Sequence, residues 1–116
     1  MESEKDMTIS EEMKNEITKK EKYINTLNNK LDEITELKIT EANERTKLMT
    51  GNFTDKIEGK ITEKAKVAYC DKQLEKQNNK IKWLENDINK LKKRIELCND
   101  KISCYKYMIK EMEVQQ

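Results

Sequence analysis

The chain has 116 residues, enough for one domain, and its 24 Lys/Arg against 23 Asp/Glu give a net charge of +1. Charged residues make up 41% of the sequence and apolar residues 34%, with no proline, which is typical of long helices. There is no histidine, no Cys-x-x-Cys pair among the three cysteines, no glycine-rich phosphate loop and no apolar run long enough for a signal peptide or membrane span. We therefore predict a non-enzymatic, cytoplasmic protein without a cofactor, a metal or a membrane-bound segment, and with reduced thiols.

The first element is a long helix, predicted over residues 8–49 after a polar, frayed N-terminus at 1–7. Thr8 and Glu11 form a Thr-x-x-Glu capping box, which marks the helix start. The following residues place an apolar stripe on one face at helical spacing. Its members are Met13, Ile17, Ile24, Leu27, Leu31, Ile34 and Leu48.

A connector is predicted over residues 50–61. Gly51 and Gly59 are the only glycines of the chain, and both lie in this stretch. Thr62 followed by Glu63 then supplies a capping residue and an acidic first turn. Thr54 followed by Asp55 supplies the same signal earlier, so the next helix is predicted to start at Thr54 or at Thr62. A short helix over 54–58 with a kink at Gly59 would satisfy both signals, and the long helix is placed from Thr62.

The strongest pattern is a heptad ladder that fills this second helix, predicted as one uninterrupted helix over 62–113. Apolar residues alternate at spacings of three and four, which is the signature of a coiled coil. Position a holds Val67, Leu74, Ile81, Ile88, Ile95, Ile102 and Ile109. Position d holds Cys70, Gln77, Leu84, Leu91, Cys98, Tyr105 and Met112.

The two stripes predict an all-α fold, an antiparallel helical hairpin or coiled coil. In the register that best matches apolar positions, Ile17 lies opposite Cys98 and Leu31 lies opposite Leu84. A two-helix seam buries little surface, so we expect the hairpin to oligomerise. Our preferred assembly is a homodimer that forms a four-helix bundle.

The second helix carries more apolar surface than one seam uses, which is typical of a helix with two neighbours. The alternative is a scatter of isolated surface aromatics. The candidate partner-binding residues are Tyr69, Trp83, Leu97, Tyr107 and Met108.

A basic run in the same helix is the candidate nucleic-acid-binding or nucleotide-binding patch. It consists of Lys90, Lys92, Lys93 and Arg94. Aromatic residues such as Trp83 are interleaved with lysines around it, as in single-strand-binding grooves. The alternative is a solvated coiled-coil surface, because acids such as Glu85 and Glu96 are interspersed.

The opening of the second helix reads Thr-Glu-Lys-Ala-Lys-Val-Ala-Tyr over 62–69. With the charged coiled-coil tail that follows, it resembles small helical proteins from early or accessory gene clusters of tailed phages and prophages of low-GC Gram-positive bacteria, over about residues 48–110. The resemblance implies a phage-type accessory protein acting in the host cytosol. It carries over no functional residue.

Three functions fit these observations. The favoured one is a helical interaction protein that binds a host or phage protein, as an adaptor or inhibitor of host machinery or of a defence complex. The second is a nucleic-acid-binding or nucleotide-binding protein that uses the basic run. The third is a purely structural coiled-coil scaffold.

Overall fold

The computed structural model of the protein describes residues 8–115, so the predicted frayed segment 1–7 lies outside the described residues. Three helices occupy this part of the chain: α1 (Ile9–Met49), α2 (Glu63–Gln73) and α3 (Glu75–Gln115). No strand occurs among the described residues. The predicted all-α class is confirmed.

Side chains cap the first turns of α1 and α2. The backbone N–H of Glu11 donates to Thr8 Oγ1 at 3.1 Å, and that of Ala65 donates to Thr62 Oγ1 at 3.1 Å. Each bond satisfies a first-turn amide that has no partner within its own helix. The helix starts therefore follow directly from the two threonines.

The connector folds around Phe53, which is buried. Its ring meets the Tyr69 ring edge-on, with centroids 5.7 Å apart and planes at 85°. The backbone N–H groups of Lys56 and Ile57 both donate to the Phe53 carbonyl at 3.0 Å, which closes a tight turn. Gly59 has φ +81°, a left-handed conformation that glycine adopts without steric cost. The connector is thus an ordered turn anchored on an aromatic pair.

The second predicted helix is divided at Leu74, where the sequence predicts one uninterrupted helix over 62–113. Leu74 has φ −100° and ψ 12°, outside the helical range. Its N–H still donates to the Cys70 carbonyl at 2.9 Å, and its own carbonyl accepts from Asn78 N–H at 2.9 Å. Both Cys70 and Leu74 are buried, so this local adjustment keeps two successive ladder residues in the core.

The described residues form two compact units. The first contains the described residues of Met1–Asn29 and Ile88–Gln116, and the second is Lys30–Asp87. A seam between two helices buries side chains only against near neighbours across the pair. No thick core then ties together residues that are far apart along the helices.

The heptad ladder forms the core in both units, as the sequence predicts. In the second unit the buried ladder residues are Cys70, Leu74, Ile81 and Leu84. In the first unit they are Ile88, Leu91, Cys98 and Ile102. Only the outermost a and d positions, Val67 and Met112, are exposed.

Pairing between the helices is antiparallel in each unit. In the second unit Lys30 Nζ lies 3.4 Å from Asp87 Oδ2, and Arg45 Nη1 lies 2.8 Å from Asp71 Oδ1. Later residues of α1 therefore meet earlier residues of the partner helix. Tyr23–Arg94 and Glu16–Lys101 follow the same order in the first unit. The predicted hairpin is confirmed, and the predicted dimer and four-helix bundle remain predictions.

The face of α1 that meets the ladder agrees with the predicted stripe only in part. Ile34 of that stripe is 6% exposed, and its half-buried members are Met13, Ile17, Ile24, Leu27 and Leu48. Glu16 lies at Cys98, where Ile17 is predicted, and Leu31 is 37% exposed instead of buried against Leu84. A second row shares the seam, with Glu16 buried and the others half-buried: Glu16, Tyr23, Lys30, Leu37 and Glu44. The polar residues of this row form contacts with the opposite helix that the apolar side chains of Ile17 and Leu31 cannot form.

Candidate functional site

The predicted partner-binding residues do not share one environment. Tyr69 is half-buried and packs on Phe53, so it supports the connector instead of facing solvent. Trp83 is 68% exposed on α3 in the second unit. Leu97, Tyr107 and Met108 are exposed on α3 in the first unit. Large apolar side chains are thus presented to solvent in both units.

The first unit places such residues along one side of α3, with Lys101 between Leu97 and Cys104. Cys104, Tyr107 and Met108 are three and four residues apart, which makes them neighbours on one helix face. Leu97 lies two turns before Cys104 on the same side. Leu97 is 59% exposed and Tyr107 is 65% exposed. We call Leu97, Cys104, Tyr107 and Met108 the C-terminal strip.

The basic run lies beside this strip, although its four members do not share one face. Lys90, Lys93 and Arg94 precede Leu97 by one or two turns on the same side of α3, whereas Lys92 points away at 100° per residue. All four are exposed. The Arg94 guanidinium carbon lies 5.8 Å from the centre of the Tyr23 ring, within the range of a cation–π contact. Three cations therefore border the apolar strip.

A buried carboxylate lies next to Arg94 in the first unit. Glu16 is only 8% exposed, and its Oε1 lies 3.5 Å from Lys19 Nζ and 3.6 Å from Lys101 Nζ. The Cys98 thiol donates a hydrogen bond to the same carboxylate. Glu16 Oε2 is buried without a hydrogen-bond partner among the described residues. Such an oxygen costs free energy until a donor reaches it.

The two buried titratable groups shift each other in opposite directions. Burial raises the pKa of Glu16, but the Cys98 thiol and the positive charges of Lys101 and Lys19 outweigh it, so the pKa is lowered overall. Burial raises the pKa of Cys98, and the hydrogen bond to the Glu16 carboxylate and its negative charge raise it further. At neutral pH the carboxylate is therefore ionised and the thiol is protonated.

This cluster lines an open cavity of about 100 Å³ on the surface of the first unit. Its lining residues are Glu16, Lys19, Tyr23, Arg94, Leu97, Cys98 and Lys101. One acid faces three cations here, so the cavity has a positive rim with an apolar side chain, Leu97, within it. A protonated thiol is a weak nucleophile, and a carboxylate with a lowered pKa is a weak base.

Sequence reasoning identified Arg94 and Leu97 but missed Glu16, Tyr23 and Phe53. Glu16 and Tyr23 precede apolar residues in the α1 stripe, and nothing in their spacing distinguishes them from solvated positions. Phe53 carried a signal, because it is the only phenylalanine and lies next to the glycine turn.

No metal-binding group of three or more His, Cys, Asp or Glu occurs in residues 8–115. Within the same range, no helix combines the length and apolar character that a membrane span requires. No family model matches the chain, and no curated protein or solved structure is significantly similar to it. The resemblance to phage accessory proteins therefore stays a prediction.

Proposed function

We propose that this protein is a non-enzymatic interaction module whose C-terminal strip binds a protein partner. The observation that carries the proposal is the exposure of Leu97 and Tyr107, at 59% and 65%, beside Cys104 and Met108 on one face. Single exposed apolar residues are ordinary, but several on one side of a helix, bordered by charges, are typical of protein interfaces. Tyrosine and methionine are also enriched in such interfaces.

The resemblance noted in the sequence supports a specific setting for this activity. A phage-type accessory protein that binds one host complex would act as an adaptor or as an inhibitor, including of a defence complex. An exposed helix face is sufficient for either role, because binding alone can recruit or block a partner.

Nucleic-acid binding is the second candidate, and the observation that favours it is the exposed cation group around Arg94. Phosphate contacts need accessible cations, which Lys90, Lys93 and Arg94 provide. Base stacking needs a free aromatic face, and the Tyr23 ring already has Arg94 over it, whereas Trp83 and Tyr107 are exposed. We rank protein binding first because acids such as Glu96 and Asp100 are interspersed with these cations.

Two variants separate the candidates. Leu97→Ser with Tyr107→Ser removes the strip and keeps the charges, so it should release any protein partner recovered from a lysate of the source organism. Ile39→Ser is the matched control, because Ile39 is also exposed but lies on α1, away from the strip. Quantitative mass spectrometry of proteins retained by each form measures the loss.

The reciprocal variant replaces Lys90, Lys92, Lys93 and Arg94 with glutamine. If nucleic acid is the ligand, this form should lose affinity for single-stranded DNA and show a weaker dependence on salt, by about 0.7 to 0.9 in logarithmic slope per lost contact. We expect Leu97→Ser with Tyr107→Ser to weaken partner binding more than this quadruple variant, since apolar and aromatic anchors dominate interfaces. Loss of DNA affinity in the quadruple variant, with recovery of protein partners unchanged in both variants, would put nucleic-acid binding first.

A further inference from the structure

The cavity beside Glu16 combines features that point to the chemistry of a partner. Its rim carries Lys19, Arg94 and Lys101, and Glu16 is the one acid that lines it. Because the pKa of Glu16 is lowered, its single negative charge offsets one of the three positive charges. The site therefore carries a net positive charge around a small recess.

The rim cations are only partly neutralised. The distances from Lys19 and Lys101 to Glu16 Oε1, 3.5 and 3.6 Å, are long for charge-assisted hydrogen bonds, which are usually about 2.7–2.9 Å. Both lysines are exposed, and their long side chains can turn toward a second acid. Arg94 rests on an aromatic ring and has its donor groups available for a carboxylate.

The recess also offers an apolar contact and an acceptor. Leu97 lines the cavity and remains 59% exposed, so a partner side chain that covers it gains apolar burial. Glu16 Oε2 is buried without a hydrogen-bond partner among residues 8–115, so it accepts from a hydroxyl or amide donor of the partner and not from the partner's carboxylates.

We propose that this edge of the first unit binds an acidic amphipathic helix of a partner protein. Carboxylates of that helix pair with Lys19, Arg94 and Lys101, and an apolar side chain between them covers Leu97. An α-helix places acidic and apolar side chains three and four residues apart on one face. Arg94, Leu97 and Lys101 have the same spacing on α3. The inference rests on the proposed protein-binding function and specifies the chemistry of its partner.

The test uses the full chain and synthetic probes in fluorescence anisotropy. One probe is a helical peptide with leucines on one face and glutamates beside them, and the second is the same peptide with glutamine for every glutamate. A single-stranded oligonucleotide is the third. We expect the acidic peptide to bind about tenfold more tightly than the glutamine peptide, because opposite charges at the rim favour it.

Two double variants test whether the acidic peptide binds at the cavity. Arg94→Gln with Lys101→Gln should weaken binding of the acidic peptide about tenfold. Lys92→Gln with Lys106→Gln removes the same charge from exposed lysines that do not line the cavity, and it should change binding by less than about twofold. Circular dichroism of both forms verifies that the helices persist.

Several results would refute the proposal that the partner is an acidic helix. They are equal affinity for both peptides, tighter binding of the oligonucleotide, equal losses in the two double variants, and no peptide binding at all. If both peptides bind equally and Leu97→Ser with Tyr107→Ser weakens both, protein binding by the strip stands and only the acidic chemistry fails. If that strip variant changes neither peptide binding nor recovery of lysate proteins, the proposed function fails as well.

Discussion

Replacing Ile88 by alanine tests whether the heptad ladder stabilises the fold. Ile88 is 5% exposed and lies at an a position in the first unit. Truncating a fully buried isoleucine costs about 2–5 kcal/mol through lost apolar burial and the cavity left behind. A two-helix seam is close to solvent and collapses more easily than a thick core, so we expect about 2–3 kcal/mol. For a chain of this size, that corresponds to a fall in Tm of roughly 10 °C.

The matched control is Ile39→Ala, in which the same side chain is removed from a position that is 57% exposed. Its free energy of unfolding should change by no more than about 0.5 kcal/mol, since surface substitutions usually fall within that range. Thermal and urea unfolding followed by far-UV circular dichroism measure both variants. Equal losses of stability in the two variants would refute the assignment of the ladder as the core.

The remaining predictions concern the buried titratable groups. Because the pKa of Glu16 is lowered below its ordinary value of 4.5, its stabilising contribution is present above that pH and lost as pH falls through the folded pKa. The stability difference between the wild type and Glu16→Gln should therefore shrink on acidification below 4.5, and a pH-independent difference in urea unfolding would contradict this. Iodoacetamide should alkylate exposed Cys104 much faster than buried Cys98 or Cys70, as read by mass spectrometry of the native protein. Similar rates at Cys104 and Cys98 would mean that the seam opens readily.

The buried face of the second half of the chain could be predicted because its apolar pattern fits only one face of a helix. β-branched residues and leucines such as Ile81, Leu84 and Ile88 recur at spacings of three and four, and only one face of a helix can bury them all. The division at Leu74 was not predictable, because the side chain keeps its place in the ladder while only the backbone departs from helical angles.

The face of α1 was predicted only in part, because two rows of residues share the same seam and Ile34 of the predicted stripe is buried in it. One row contains Ile17 and Ile24, and the other contains Glu16 and Tyr23. Counting apolar residues favours the first row. Tyr23 faces Arg94 and Glu16 faces Lys101 across the pair, and an apolar pattern does not represent such contacts.

The candidate site could also be predicted only in part from the sequence. Exposed residues such as Leu97 and Arg94 could be located from their heptad positions, since a helix surface follows from its core. The cavity could not, because it depends on which residue of α1 reaches Cys98. Only the structure brings Glu16 and Lys19 to the edge that Arg94 borders.

Glu16 therefore contributes less to the stability of the fold than to the choice of one helix register. A buried ion pair is weak evidence for stability, since desolvation offsets much of its Coulomb energy, and an apolar side chain at the same place is often as stable. Ile17 opposite Cys98 would supply that apolar contact. A single buried polar group does, however, discriminate between registers, as polar residues at core positions of coiled coils do. Glu16 contacts Cys98 and Lys101 across the pair, which requires this face of α1 to turn inward, whereas its pair with Lys19 lies within α1. Glu16 therefore favours the rotation that brings it to the edge on which the cavity opens.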